Sequence, residues 1–376
     1  MTSPSTPPSG LCPPASVFPQ PPSAVGYWLL AVAVAIWIMV GIGGVTRLTG
    51  SGLSITDWRP LTGAIPPLSD ADWQSEFAKY MGSPQHRLVF PDMTVEEFKG
   101  IYWWEWIHRF WGRMIGVVFA LPLLVFWVRG MIPPTWRGRL LLIFLLGGLQ
   151  GALGWFMVAS GLVDRPSVSP YRLAAHLGLA VILFAWVLWL ALVILCRQEA
   201  TTRERGAGAP REWHVAAMRL TLPGTPALFF LLLLLVQIIY GGFMAGTKAA
   251  MAHPTFPDLS GSGFPPAATW TQPGWRNFFE NTAVIAFTHR WLGILVFLVG
   301  AWQAVRVIAR GPSRLRRPAG TLGLLLLLQV ALGIGTTLLA QGHIPVLWGS
   351  LHQLNALLIL ALGLYLFHSY RQSHSL

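Results

Sequence analysis

From Trp103 to Arg113 the chain reads Trp-Trp-Glu-Trp-Ile-His-Arg-Phe-Trp-Gly-Arg. A carboxylate (Glu105), an imidazole (His108) and two guanidiniums (Arg109, Arg113) stand at the mouth of an apolar run that continues through Pro122 to Val128. On a helix, residues three and four apart share a face, so Glu105, His108 and Arg109 point roughly one way. Ionisable groups at membrane depth cost about 2.5–3.5 kcal/mol each on insertion scales. An interfacial belt of Trp and Arg accounts for Trp103, Trp104 and Arg113. It does not account for a carboxylate one turn from an imidazole, which is a pattern for chemistry.

The elements that must position these groups are membrane helices. Of 376 residues, 54% are hydrophobic and only 11% charged, and the mean hydropathy is +0.55. Apolar runs long enough to cross a bilayer are expected near 27–45, 104–128, 140–160, 173–196, 227–246, 282–305, 321–340 and 346–367. The Gly-, Pro- and Ser-rich stretch 46–102 reads as an ordered loop of turns. Short amphipathic helices are expected in it near 70–80 and 94–101, the second opened by Thr94 and Glu97 at capping-box spacing.

The net charge of +12 does not indicate nucleic acid, because the basic residues gather in short connections between apolar runs. Arg129, Arg137 and Arg139 follow the second run. Arg197, Arg203, Arg205, Arg211 and Arg219 follow the fourth, and Arg306, Arg310, Arg314, Arg316 and Arg317 the sixth. The positive-inside rule places these connections and both termini in the cytoplasm, and the loops 46–102 and 247–281 outside. Residues 1–26 are rich in Pro and Ser and contain no Lys or Arg. They read as a disordered tail without a secretory or mitochondrial signal, which favours a bacterial plasma (inner) membrane. Cys12 and Cys196 alone build neither a disulfide framework nor a zinc cluster.

The chain repeats itself. Leu149-Gln-Gly-Ala-Leu-Gly154 matches Leu328-Gln-Val-Ala-Leu-Gly333, and His108-Arg-Phe-Trp-Gly112 matches His289-Arg-Trp-Leu-Gly293. Ala175-His176 matches Leu351-His352, and Gly43-Gly44 matches Gly241-Gly242. Four helices per unit give both units one orientation. The expected fold is an all-α integral membrane protein of eight transmembrane helices in two parallel four-helix bundle repeats. The first half is 27–197, a cytoplasmic linker covers 198–224, and the second half is 225–376.

This topology brings His108, His176, His289 and His352 to the external ends of the second, fourth, sixth and eighth spans. Inward-facing imidazole pairs in an apolar bundle suit the two axial positions of a haem iron. Arg109 and Arg290, each directly after a ligand candidate, are candidates to meet haem propionates. Zinc is the rival metal and would need further Cys, Asp or Glu ligands. His253 and His343 lie in external loops and are expected to stand outside the site. The halves differ in one respect: Glu105 stands three residues before His108, but Ala286 stands three before His289. A carboxylate beside one haem only could hold water, accept protons or stabilise positive charge developing on carbon. The first half is therefore expected to do chemistry, and the second to hold a prosthetic haem or the electron exit.

These residues resemble the haem A synthase family of the mitochondrial and alphaproteobacterial type. The resemblance is carried by Gly43-Gly-Val-Thr-Arg-Leu-Thr-Gly-Ser-Gly-Leu-Ser54, Gly63-Ala-Ile-Pro-Pro67 and Phe98-Lys-Gly-Ile-Tyr-Trp-Trp-Glu-Trp-Ile-His-Arg109. Gly148-Leu-Gln-Gly-Ala-Leu-Gly-Trp155, Val168-Ser-Pro-Tyr-Arg-Leu-Ala-Ala-His176, Thr288-His-Arg290 and Leu351-His-Gln353 complete it. It implies an enzyme that oxidises the C8 methyl of haem O to a formyl group by way of an alcohol, with water as the oxygen source. It further implies His108 and His176 as ligands of the substrate haem O, His289 and His352 as ligands of haem b, and Glu105 as the catalytic carboxylate. The partners it implies are haem O synthase as supplier, an electron acceptor, and the cytochrome c oxidase assembly machinery as recipient. The family's Asn-Thr-Phe-Pro motif departs here to His253-Pro-Thr-Phe-Pro257. Two other classes compete: a quinol-linked two-haem electron-transfer cytochrome, which needs the histidines but not Glu105, and a non-catalytic haem-handling assembly protein.

Overall fold

A computed structural model describes residues 20–59, 62–163, 166–206 and 224–372. The sequence expectations for most of the N-terminal tail with Cys12, and for Arg211 and Arg219 of the linker, fall outside the described residues.

Among the described residues, eight long helices carry the fold: α1 Ser23–Leu48, α2 Val95–Val128, α3 Pro134–Ala159, α4 Pro170–Gly206, α5 Gly224–Thr247, α6 Thr282–Arg310, α7 Ser313–Leu338 and α8 Val346–Gln372. Each contains a span apolar and long enough to cross a membrane. Among the described residues, the only β pairing is an isolated bridge between Leu259 and Ser262. The chain is an all-α, multi-pass membrane protein.

Local chemistry sets the boundaries. Thr94 Oγ1 accepts from the Glu97 N–H at 3.3 Å, and Glu97 Oε2 accepts from the Thr94 N–H at 2.8 Å. This capping box starts α2, but the short helix expected near 94–101 does not end there. It runs on into the apolar segment as one helix of 34 residues, because no Gly–Pro break or αL residue intervenes between Ile101 and Trp104. Pro134 opens α3, where its missing N–H costs nothing. Asn281 caps α6 by accepting from the Ala283 and Val284 N–H groups. In the 46–102 loop, the helix expected near 70–80 spans Asp70–Met81. A further short helix, Pro84–Val89, follows behind the Ser83 cap.

Several arginines expected in connections belong to helices instead. Arg137 and Arg139 lie in the first turns of α3, with their guanidiniums over the Trp127 and Trp136 rings at 5.0 and 5.6 Å. Arg306 covers Trp302 in the same way. Long aliphatic stems and aromatic faces let these charges stay on the helix while reaching its polar end.

The centre of the bundle is built from α1, α4, α5 and α8. Helix α1 packs on α4, α2 and α8, and α5 packs on α4, α6 and α8, with α4 and α8 also meeting directly. Small residues allow the close approaches. A Cβ on Gly26 would come within 2.8 Å of Leu195, and one on Gly300 within 2.7 Å of both Leu326 and Phe230. Indole and carboxamide donors fix α1 to its neighbours. Trp28 Nε1 donates to the Val118 carbonyl at 2.8 Å, Trp37 Nε1 to Leu354 at 3.1 Å and Gln353 Nε2 to Val40 at 3.1 Å.

Candidate functional site

A cavity of about 1020 Å³ runs through the bundle, and Glu105, Arg109, Arg290 and all four predicted histidines line it. His253 and His343 are not among its lining residues. The sequence-predicted residues are therefore brought to one place.

Glu105 is only 2% exposed. Its Oε2 accepts from the Ser54 hydroxyl at 2.7 Å and the Ile55 N–H at 2.8 Å. Its Oε1 accepts from Arg109 Nε at 3.1 Å and Nη2 at 2.6 Å. Four donor atoms, two of them from one two-pronged guanidinium, fix both oxygens of the carboxylate. Arg109 continues to the Ile55 carbonyl at 2.8 Å and the Asp57 carbonyl at 3.2 Å. Its fork thus ties α2 to the loop.

That loop is itself clamped. Gly50 takes φ +71°, a conformation other residues resist, and its carbonyl accepts from Gln85 Nε2 at 2.8 Å. The Tyr80 hydroxyl donates to Gln85 Oε1 at 3.2 Å. Burial, and then the charge of Glu105, pushes that hydroxyl up to about 12, so it stays a neutral donor. Sequence reading quoted Ser54 in a motif but gave it no task, and it missed the Ile55 N–H altogether.

The imidazoles occupy notches left by glycines. A Cβ on Gly43 would meet His108 Cε1 at 3.4 Å, and one on Gly241 would meet His289 Cε1 at 3.5 Å. For Gly154 and His176 the distance is 3.0 Å, and for Gly333 and His352 it is 2.9 Å. Two glutamines, each the polar residue of a repeated Leu-Gln-x-Ala-Leu-Gly stretch, serve the histidines. Gln150 Nε2 donates to the His176 carbonyl at 2.9 Å, and Gln329 Nε2 to the His352 carbonyl at 3.1 Å. The sequence showed both glutamines as matched positions and assigned them no role. A lone amide in an apolar helix was the available signal.

The His289 and His352 ring centres are 6.4 Å apart, inclined at 65°. Two imidazoles on opposite sides of one metal, at metal–nitrogen distances of about 2 Å, have centres about 6 Å apart. That spacing would let one metal ion be held between the two rings. His352 Nδ1 lies 3.1 Å from the Gln329 carbonyl and its Nε2 3.3 Å from Gln329 Nε2. With its proton on Nδ1, the ring would present its lone pair at Nε2. Among the described residues no three His, Cys, Asp or Glu side chains gather as a closed metal-ligand set. The donor groups come as imidazole pairs in an apolar cavity, the donor set of a bis-imidazole haem.

Arg290 is 8% exposed. Its Nη1 donates to the Asp258 carbonyl and its Nη2 to the His253 carbonyl at 2.7 Å, while its Nε is buried without a partner. Burial, with the charge of Arg290 second, holds His253 below the ordinary imidazole range. Hydrogen bonds from the Thr255 hydroxyl and then the Gly261 N–H hold Asp258 below the usual carboxylate range. Arg47, at the end of α1, also lines the cavity and reaches across to the Ala245 carbonyl of α5 at 2.7 Å.

The profile of the cytochrome oxidase assembly protein family matches residues 26–364. A protein named "Heme A synthase" from Rhodospirillum centenum is 46% identical over 354 residues, covering 93% of this chain and 89% of that one. Proteins of the same name from Mesorhizobium japonicum (44% identical, 89% and 86% covered) and Parvibaculum lavamentivorans (41%, 92% and 94%) are similar along nearly their whole length. With the profile spanning all eight helices and relatives this close over nine-tenths of the sequence, the chain belongs to the cytochrome oxidase assembly protein family.

Proposed function

We propose that this chain is a haem A synthase, an oxidoreductase that converts the C8 methyl of haem O to a formyl group with oxygen from water. The observation that carries this reading is Glu105, a fully hydrogen-bonded carboxylate at the cavity wall beside His108, where the second half has the buried Ala286. Electron carriage alone does not require that asymmetry.

In this reading His108 and His176 ligate the substrate haem O, and His289 and His352 hold a haem b, which when bound supplies one-electron redox chemistry. Glu105 acts as a fixed negative charge. Both oxygens are fixed by donors, and of its three expected roles the stabilisation of positive charge developing on the substrate carbon suits a carboxylate so placed. Ser54, the Ile55 N–H and Arg109 hold the carboxylate in place. Oxidation of methyl to formyl releases electrons and protons in equal number, so an electron acceptor takes part.

The halves 27–197 and 225–376 serve as parallel repeats in this reading. The matched glycine–histidine contacts and the matched Gln150 and Gln329 bonds support that view. The arginine-rich helix ends favour cytoplasmic termini in a bacterial plasma (inner) membrane. Delivery of haem O by haem O synthase and hand-over of haem A to cytochrome c oxidase assembly complete the proposal.

The test is expression of the full chain in a host that makes haem O, followed by extraction and chromatography of the haems. Haem A is expected from the intact chain. Glu105→Ala is expected to keep bound haem and yield none. Undiminished haem A from that variant, or none from the intact chain where a relative succeeds, overturns the proposal.

A further inference from the structure

The surroundings of His108 and His289 correspond closely, and besides Glu105 against Ala286 they differ at a further position. Gly43 and Gly241 face Cε1 of the two rings. Four residues earlier on the same helices stand Met39 and Gln237. A Cβ on Gly112 would meet Met39 Cε at 3.4 Å, and one on Gly293 would meet Gln237 Nε2 at 3.1 Å. A carboxamide in the second half thus takes the place of a thioether in the first.

The Gln237 Nε2 is 3.2 Å from His289 Nδ1, 3.4 Å from His289 Nε2 and 3.0 Å from the His289 carbonyl. Its Oε1 is buried and has no partner. A histidine that ligates through Nε2 carries its proton on Nδ1 and needs an acceptor there. Turning the Gln237 amide about its last bond brings the unpartnered Oε1 to Nδ1 at hydrogen-bond range, in exchange for the Nε2 bond to the His289 carbonyl. Met39 offers only a weak sulfur acceptor. The partner histidines repeat the contrast. His352 Nδ1 faces the Gln329 carbonyl at 3.1 Å, whereas His176 Nδ1 is buried with no partner.

We infer that Gln237 is a positioning residue that orients His289 through Nδ1, and that Met39 in the corresponding place makes the first imidazole pair exchangeable while the second pair retains its group. The inference rests on the reading that both pairs ligate haem iron. A substrate has to leave after turnover and a resident haem must stay. Hydrogen-bond partners of this kind change metal affinity about 10–100-fold.

The experiment uses the full chain in detergent, loaded with haem b, and follows haem transfer to excess apomyoglobin by absorbance. A His176→Ala background isolates the second pair, and a His352→Ala background isolates the first. Gln237→Met is expected to release haem about 10–100-fold faster and to shift the midpoint potential, and Gln237→Glu, which keeps an acceptor, to restore slow release. Met39→Gln is expected to slow release from the first pair. Unchanged release in both Gln237→Met and Met39→Gln, while His289→Ala has lost its haem, overturns the inference. Full haem retention in His289→Ala instead overturns the pairing on which it rests. Melting temperature is read alongside: a drop in Gln237→Met with unchanged release marks a merely structural role and counts against the inference.

Discussion

The Glu105 carboxylate is held by residues about fifty positions earlier and by one a single turn later. Ser54→Ala removes one of its four donors from a buried site, and hydrogen bonds to charged groups contribute about 1.5–3 kcal/mol. Haem A yield is expected to fall while haem content holds, as measured by chromatography of extracts. Arg109→Lys keeps the charge and loses the two-pronged geometry, so it is expected to impair turnover nearly as much as Arg109→Ala. Ionisable groups in apolar helices stand out, so the sequence singled out Glu105 and the four histidines, and the structure brings them to one cavity. Arg109 stood in the sequence as a candidate for haem propionates, and its i,i+4 spacing from Glu105 also allowed the ion pair the structure contains. The Ile55 N–H was not legible, since a backbone donor leaves no trace in residue types.

The helices and the loop that position the site show different kinds of robustness. A side chain at Gly300 of α6 would strike Leu326 of α7 and Phe230 of α5, whereas nothing lies within 4 Å of a Cβ at Gly147 or Gly148 on α3. Gly300→Leu is therefore expected to destabilise by about 1–3 kcal/mol. Gly148→Leu is expected to melt within a degree or two of the parent by tryptophan fluorescence in detergent.

The loop is expected to respond to acid. A hydrogen bond from Lys79 first, with Arg59 adding to it, holds the Asp57 carboxyl below its ordinary value. A depressed carboxylate contributes stability that is present above its unfolded-state value and is lost as pH falls through the folded one. Protection factors of amides around Asp57 and Lys79 are thus expected to fall on acidification below the ordinary carboxylate range, and to fall less in Asp57→Asn. The eight spans were legible because apolar runs of this length admit one interpretation. Their ends were not, because arginines that stack on tryptophan extend helices past the point where hydropathy falls.

For the whole molecule, the connected cavity was the least legible feature. It arises from the way α1, α4, α5 and α8 meet, and no single segment encodes that. Bonds such as Gln353 to Val40 and Arg47 to Ala245 cross between the two halves, so the halves are expected to unfold together. One cooperative transition should be seen by both tryptophan fluorescence and haem absorbance, and two separated transitions would contradict this. His289→Ala and His176→Ala are each expected to remove one haem spectrum and leave the other.

In the proposed reaction, the Ser54–Glu105 and Arg109–Asp57 ties would make the turn after α1 a working part of the site. Tampering with that turn, by insertion, by an antibody, or by a docking protein that tugs on it, should show up as a skewed ratio of alcohol to aldehyde product well before the protein begins to lose its shape.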